Sequence, residues 1–152
     1  MTEPFKRVSV AHVFFIQQDQ VLLLKRQNTG HNDNQYGLPA GKINRGETAS
    51  QAAVREAFEE CGAIIDPNDL QLMTVMQIGP PHPEADERID FFFQTTRWTG
   101  EITNREPDKC RELSWFPLHS LPDTTIPFIK QVWQNAQQGQ LYSTFNMNPD
   151  KI

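Results

Sequence analysis

The chain has 152 residues, a formal net charge of −5 and 38% hydrophobic residues, which fits one soluble domain. The acidic balance argues against nucleic acid as a partner, because a nucleic-acid backbone calls for a basic surface. The two cysteines, Cys61 and Cys110, show neither CxxC spacing nor a paired framework. With no long apolar run and no signal-peptide pattern, we expect a reduced, cytoplasmic setting and no membrane contact.

The first elements in chain order predict a buried sheet. Residues 7–16 are apolar in both alternating sets of positions, which is typical of a central strand covered on both faces. A polar turn then leads into residues 21–24, the expected hairpin partner. His12 lies within the first strand, where we expect a core histidine rather than a ligand. Residues 27–36 are polar and contain glycine, so we expect a surface loop in which His31 is solvated.

A helix is predicted from residue 49 to residue 61. Thr48 and Gln51 form a capping-box pattern, and neither Pro nor Gly interrupts the segment before Gly62, a typical C-terminal stop. The segment therefore predicts a loop, a helix and a second loop.

The predicted helix has two faces at about 100° per residue. One stripe carries three carboxylates and continues toward the helix start as alanines, where we expect space for ligands: Glu56, Glu59, Glu60, Ala49, Ala52 and Ala53. The opposite face is expected to anchor the helix to the core: Val54, Ala57, Phe58 and Cys61. Carboxylates three and four residues apart repel each other, and such oxygen ligands suit Mg²⁺ or Mn²⁺ better than Zn²⁺. Taken alone, the segment is also compatible with an acidic, solvated surface.

Three further strands and a second helix are predicted after this segment: residues 70–78, 88–98 and 112–116, and residues 125–138. The proline-rich residues 79–83 break regular structure, and residues 104–111 form a charged loop. From Gly139 onward no periodicity is visible. We therefore expect a single domain over residues 1–140, followed by a tail over residues 141–152 that docks loosely or frays.

The residues from 41 to 63 have the spacing of a known motif, the Nudix box. Seven fixed positions match it: Gly41, Glu47, Arg55, Glu56, Glu59, Glu60 and Gly62. The chain thus resembles the Nudix hydrolase family, whose members cleave a nucleoside diphosphate linked to another group. Ala57 and Ala63 stand where the family usually carries larger aliphatic residues, and Ala40 where glycine is frequent. None of these departures touches a charged position.

The resemblance implies a fold and a site. The implied fold is α+β, with a mixed β-sheet sandwiched between helices. The implied ligands of Mg²⁺ or Mn²⁺ are carboxylates and one backbone carbonyl: Glu56, Glu59, Glu60, Glu106 and the carbonyl of Ala40. Glu106 has three alternatives, Asp108, Glu112 and Glu87. Glu56 either binds the metal or acts as the base on the attacking water, and Arg55 pairs with Glu47 and holds Glu56 in place.

The implied activity is Mg²⁺-dependent hydrolysis of a small nucleoside diphosphate derivative. Gly37-Leu38-Pro39, together with residues 106–110 and Trp115-Phe116, resembles nucleoside triphosphate pyrophosphatases, including those that clear oxidised nucleotides. The alternatives are an ADP-sugar or dinucleotide pyrophosphohydrolase, an isopentenyl diphosphate type of isomerase with a catalytic cysteine, and a non-catalytic nucleotide-binding module. The sequence names neither the base nor the substrate-binding residues, and it fits a monomer and a homodimer equally.

Overall fold

The computed structural model describes residues 2–148 as a mixed β-sheet packed between two helices, which confirms the expected α+β sandwich. In this part of the chain eight strands form the sheet: β1 Val8–Gln17, β2 Gln20–Arg26, β3 Tyr36–Gly37, β4 Ala40–Lys42, β5 Gln71–Ile78, β6 Arg88–Thr95, β7 Cys110–Pro117 and β8 Tyr142–Phe145. The helices are α1 Ala49–Cys61 and α2 Pro127–Gln137, with a short 3-10 helix at Pro67–Asp69.

Strand β1 lies at the centre of the sheet, as its continuous apolar pattern predicts. It pairs in parallel with β6 along most of its length and antiparallel with β2 and β4. Its two alternating faces enter different cores. Phe14 packs on the α2 side, whereas Ala11, Val13 and Phe15 pack on the α1 side. A strand covered on both faces needs apolar residues at nearly every position.

The hairpin between β1 and β2 turns through Gln18 and Asp19, which have φ angles of 49° and 59°. Two consecutive residues with positive φ match the twist of the flanking strands in a two-residue hairpin. The hairpin partner is therefore confirmed, with β2 longer than residues 21–24. Strand β7 pairs antiparallel with the other edge of β2.

The C-terminal segment differs from the expected loose tail. Residues Tyr142–Phe145 form β8, which pairs in parallel with the end of β5 at the edge of the sheet. The Phe145 ring lies against Phe128 of α2, with 6.3 Å between the ring centroids. A four-residue strand offers too few positions for a periodic pattern, so it escaped prediction. Residues 149–152 of the expected tail lie outside the described residues.

The remaining predicted elements are present with shifted ends. Strands β5, β6 and β7 occupy the three predicted strand segments, although β6 ends at Thr95 rather than residue 98. Helix α2 begins at Pro127, because the fixed φ and missing N–H of proline suit the first helical position. Within residues 2–148, no helix is long and apolar enough to cross a membrane.

Candidate active site

The capping residues of α1 are those predicted from the sequence. The Thr48 hydroxyl accepts a hydrogen bond from the N–H of Gln51, and the Gln51 side chain accepts one from the N–H of Thr48. Gly62 has a φ of 75° and donates its N–H to the carbonyl of Phe58. These contacts satisfy groups that a helix end leaves unpaired, and they fix where the acidic residues of α1 lie.

The two faces of α1 differ from the expectation. Ala52 and Ala53, expected beside the ligand site, are fully buried against the sheet together with Ala57 and Cys61. Phe58, expected to anchor the helix, is 45% exposed, and the guanidinium of Arg105 lies 4.6 Å from its ring centroid. Small alanine side chains leave little room between α1 and the sheet. On the same stripe, Glu56 and Glu60 lie against β4, whereas the Glu59 side chain is 48% exposed.

Position 41 must be glycine because the Glu56 carboxylate occupies the space that any larger side chain would need. The glycine lies in β4 opposite Ala11, not in a loop, and its φ is not positive. A Cβ atom at this position would lie 2.1 Å from Cδ of Glu56, far inside van der Waals contact. The need for glycine here is steric, and it lets the Glu56 side chain, only 14% exposed, lie against the backbone of β4.

Arg55 holds the carboxylates of α1 in place. Its Nε and Nη2 donate to the two carboxylate oxygens of Glu47 at 2.8 and 2.9 Å, so the predicted pair is present and bidentate. Its Nη1 donates to Glu56 at 2.6 Å and to Glu59 at 3.3 Å. The hydrogen bonds from Arg55 lower the pKa of Glu47 to about 2, and those to Glu47 raise the pKa of Arg55. One guanidinium thus orients three carboxylates.

The buried carboxylate of Glu60 has fewer hydrogen-bond partners than that of Glu56 has. Its Oε2 accepts one hydrogen bond, from the N–H of Ala40 at 3.1 Å. Burial raises the pKa of Glu60 well above its ordinary value, the charge of Glu56 raises it further, and the Ala40 N–H opposes this rise. Burial also raises the pKa of Glu56, although Arg55 opposes it. Glu56 therefore has the Arg55 guanidinium as a direct partner, whereas Glu60 is hydrogen-bonded only to a neutral backbone N–H.

One cleft of about 540 Å³ collects the residues expected to bind metal. All five line it: Ala40, Glu56, Glu59, Glu60 and Glu106. The cleft is also lined by cationic and polar side chains that the sequence alone did not reveal: Arg26, Asn28, Thr29, Lys42 and Lys109. We call this cavity the acidic cleft. Negative and positive side chains that face one space suit a metal-bound phosphate group.

Glu106 is the fourth glutamate of the acidic cleft, and the other three candidates do not line it: Asp108, Glu112 and Glu87. Glu112 instead accepts a hydrogen bond from the hydroxyl of Tyr36. Glu87 pairs with Arg7, with 2.9 Å between Oε2 and Nε. The structure therefore favours Glu106 by its position.

The donors of the acidic cleft fit a hydrated Mg²⁺ or Mn²⁺ ion. Across residues 2–148, no group of three or more His, Cys, Asp or Glu side chains is placed to hold a metal ion. Mg²⁺ does not need one, because it keeps several waters and uses one or two carboxylates together with substrate phosphates. The partly buried Glu60, with its single hydrogen bond, is the observation that favours a cation.

The loop between β2 and β3 is held by Asp33. Its carboxylate accepts hydrogen bonds from the N–H groups of Thr29 and Gly30 and from the Thr29 hydroxyl. The bond from the Thr29 hydroxyl is the main reason that the pKa of Asp33 is lowered. Across the cleft rim, the Asn28 side chain donates to the carbonyl of Asp108 at 3.0 Å. A polar sequence predicts a loop but not these long-range contacts, so the loop residues of the cleft were missed.

A mixed sheet thus lies between two helices, and a cleft lined by carboxylate and cationic side chains lies beside α1. A family model, the NUDIX domain, matches residues 5–136, and the chain belongs to the Nudix hydrolase family.

Several curated relatives are similar to this chain. The human 8-oxo-dGDP phosphatase NUDT18 is 35% identical over 116 residues, covering 74% of this chain and 33% of the relative. The Escherichia coli K12 8-oxo-dGTP diphosphatase is 29% identical over 119 residues, covering 76% of this chain and 88% of the relative. The Methanocaldococcus jannaschii ADP-ribose pyrophosphatase is 32% identical over 128 residues, covering 79% of this chain and 70% of the relative. The chain spans about a third of the human relative, and all three names describe hydrolases of phosphoanhydride bonds.

Solved structures support the same fold. The MutT Nudix hydrolase of Burkholderia pseudomallei superposes with a TM-score of 0.77 at 22% identity, covering 86% of this chain and 98% of that protein. The MutT protein of Bacillus halodurans superposes with a TM-score of 0.74 at 24% identity, covering 94% and 92%. At such identities the likeness shows the architecture alone.

Proposed function

We propose that the chain hydrolyses the diphosphate linkage of a nucleotide with Mg²⁺ or Mn²⁺ as cofactor, converting a nucleoside triphosphate and water into a nucleoside monophosphate and pyrophosphate. One observation carries the proposal. Carboxylates held by Arg55 and cations of other elements, Arg26, Lys42 and Lys109, line the same cleft. A phosphoanhydride needs both, because charge develops on its oxygens during attack by water.

Glu59, Glu60 and the carbonyl of Ala40 hold the cation in this proposal, with Glu106 completing the wall. The cation, when bound, neutralises charge on the phosphate oxygens. Arg26 and Lys109, which line the same cleft, would bind the phosphate groups. Arg55, fixed by Glu47, keeps the carboxylate of Glu56 in one orientation.

Glu56 has two roles open to it in this arrangement, and they are separable. As the base, it accepts the proton of the water that forms the new P–O bond while pyrophosphate leaves. As a ligand, it contributes to cation affinity. A Glu56→Gln variant that binds Mn²⁺ like the parent but loses kcat identifies the base, whereas a matching loss of Mn²⁺ affinity identifies the ligand.

The named relatives direct the choice of substrates. Two of the three described above act on 8-oxoguanine deoxynucleotides, and the archaeal relative acts on ADP-ribose, so both substrate classes enter the test. The isomerase alternative loses support, because Cys61 is fully buried and the Cys110 thiol donates to the carbonyl of Glu112. The alternative of a non-catalytic nucleotide-binding module is excluded if the chain turns over any substrate of the panel.

The test is a turnover panel with Mg²⁺ and with EDTA. Nucleoside triphosphates, 8-oxo-dGTP, 8-oxo-dGDP, ADP-ribose and dinucleoside polyphosphates are incubated with the chain, and the products are separated by ion-exchange chromatography. We expect monophosphate and pyrophosphate from a triphosphate, only with metal. Glu59→Gln and Glu60→Gln test the site, and Glu101→Gln, outside the cleft, is the matched control. The proposal is contradicted if no substrate is turned over, or if Glu59→Gln and Glu60→Gln turn over the substrate as fast as the parent chain does.

A further inference from the structure

The C-terminal end of α1 is bound by a segment that is distant in sequence. A helix end leaves its last carbonyl groups without partners inside the helix. In α1 the N–H of Thr103 donates to the carbonyl of Cys61 at 2.9 Å, and the N–H of Arg105 donates to that of Glu60 at 3.1 Å. Both donors belong to residues 103–109, which we call the docked loop. This loop is therefore attached to the helix that carries the acidic residues.

The side chain of Arg105 covers the same helix end. Its Nη1 donates to the carbonyl of Phe58 at 3.5 Å, the long limit of a hydrogen bond, and its guanidinium lies over the Phe58 ring. The last turn of α1, residues 58–61, has no basic residue of its own. Because positive charge is favourable at a helix C-terminus, Arg105 supplies from another segment the charge that the helix lacks.

The docked loop is closed by hydrogen bonds within it. The N–H groups of Lys109 and Cys110 donate to the carbonyl of Glu106, at 2.9 and 2.8 Å. The Asn104 side chain accepts a hydrogen bond from the N–H of Glu106 at 3.2 Å and donates one to the carbonyl of Cys110 at 2.7 Å. Glu106 and Lys109 both line the acidic cleft. Since they lie in one closed turn, a displacement of the loop moves both.

A second set of contacts attaches the docked loop to the end of β2. The Gln27 side chain donates to the carbonyl of Pro107 at 2.8 Å, and the Asn28 side chain donates to that of Asp108 at 3.0 Å. The loop is thus held between α1 and the connection from β2 to β3. The attachment at α1 is the one that joins the loop to the helix carrying Glu60.

We infer that Arg105 is a positioning residue, which docks residues 103–109 on the C-terminal end of α1 and thereby sets the place of the Glu106 carboxylate relative to that of Glu60. The backbone bond from Arg105 to Glu60 ties the residue directly before Glu106 to the helix. The role of Glu106 as a cation ligand is taken from the proposed function, on which this inference rests. The same docking explains why a half-exposed aromatic ring lies at position 58.

Hydrogen–deuterium exchange in EDTA tests the docking without metal or substrate. We expect Arg105→Ala to raise amide exchange in residues 101–109 by roughly two- to fivefold, the size expected for an exposed cation–π contact. Residues 50–57 of α1 should exchange as in the parent. Arg97→Ala, at an exposed arginine on the turn after β6, is the matched control and should leave the loop unchanged. Parent-like exchange of the loop in Arg105→Ala overturns the inference.

A double-mutant cycle with Glu106→Gln separates positioning from stability. Mn²⁺ affinity is measured from the electron paramagnetic resonance signal of free Mn²⁺ for the parent, both single variants and the double variant. If Arg105 acts through Glu106, Arg105→Ala weakens Mn²⁺ binding by roughly two- to fivefold in the parent and has no further effect once residue 106 is Gln. Equal weakening in both backgrounds, or no weakening in either, overturns the positioning claim.

Two variants of Phe58 test the ring under the guanidinium. Phe58→Tyr keeps an aromatic ring and should behave like the parent, whereas Phe58→Leu should resemble Arg105→Ala in both measurements. Equal exchange in Phe58→Leu and the parent contradicts a role for the ring.

Failure of this inference can be told apart from failure of the proposed function. A parent that turns over substrate and binds Mn²⁺, with Arg105→Ala equal to it, defeats this inference alone. A parent with neither turnover nor Mn²⁺ binding, whose loop is nevertheless released by Arg105→Ala, defeats the proposed hydrolysis and supports the docking.

Discussion

The acidic cleft and the cluster around Asp90 use similar side chains with different balances of charge. Of the four box carboxylates, Glu47, Glu56 and Glu59 share the guanidinium of Arg55, and Glu60 accepts a hydrogen bond from the N–H of Ala40 alone. In the other cluster, Asp90 has both Arg88 and His12 as partners. The first cluster has an excess of negative charge, and the second is balanced within the protein.

This difference separates a site that needs an added cation from one that fixes geometry. Like-charged carboxylates repel, so the cleft lowers stability until a cation binds. A buried carboxylate with two partners is instead strongly destabilised when one partner is lost. Neutralising a cleft carboxylate should therefore reduce activity without lowering the free energy of unfolding. Neutralising Asp90 should lower the free energy of unfolding.

The largest expected effect on stability is that of Asp90→Asn. Removing this charge leaves Arg88 and His12 without their buried partner, and we expect a loss of about 3–5 kcal/mol in the free energy of unfolding. Urea denaturation followed by tryptophan fluorescence measures it. Glu87→Gln is the control, because its exposed pair with Arg7 contributes about 0–1 kcal/mol. Equal losses in both variants would remove the distinction between the clusters.

The Asp90 contribution should also depend on pH. Burial raises the pKa of Asp90, but hydrogen bonds from His12 and Arg88 and their charges outweigh it, so the net pKa is lowered. A lowered folded pKa gives stability that is present above the unfolded value of about 3.9 and is lost as pH falls through the folded value. The difference between the parent and Asp90→Asn should thus be full at pH 6 and shrink below about pH 3.9. A difference constant from pH 6 to pH 3 would contradict this assignment.

Unlike Asp90→Asn, the Glu60→Gln variant should lose activity without losing stability. We expect kcat to fall by about 10²–10³-fold, a loss typical of one group that stabilises transition-state charge. The free energy of unfolding in EDTA should stay equal or rise, because a partly buried charge beside Glu56 is removed. Turnover and urea denaturation are measured on the same preparation. A variant that is both less stable and fully active would reverse the comparison.

Gly41→Ala should damage the cleft through sterics alone. The new Cβ meets the carboxylate of Glu56 and displaces it, at about 1–3 kcal/mol of stability and with a loss of kcat. Gly37→Ala is the control, since its Cβ would lie 3.3 Å from Cδ1 of Ile126 and far from the carboxylates. Circular dichroism and turnover distinguish the two variants. Equal kcat in both would show that Glu56 tolerates displacement.

The elements that depend on local sequence were predictable. The caps of α1 and the apolar β1 follow from short patterns, and the Glu47–Arg55 pair follows from a motif of fixed spacing. The contact of His12 with Asp90 was not predictable, because it spans 78 residues and depends on the parallel register of β1 and β6. No local pattern encodes that register.

The errors in the site have similar causes. Helical phase placed Ala52 and Ala53 on the stripe of the carboxylates, but phase alone does not say which stripe meets the sheet. The cations of the cleft come from β2, β4 and the segment before β7, so only the folded chain brings them together.

Direct titration with Mn²⁺ tests the central claim that the acidic cleft binds a divalent cation through its carboxylates. The electron paramagnetic resonance signal of free Mn²⁺ is followed as the chain is added, for the parent and for Glu60→Gln. We expect the parent to bind Mn²⁺, Mg²⁺ to displace it, and the variant to bind about tenfold more weakly or less, as changes around metal sites usually cause. Equal affinity of the two proteins, or no binding by the parent at millimolar Mn²⁺, would contradict the account.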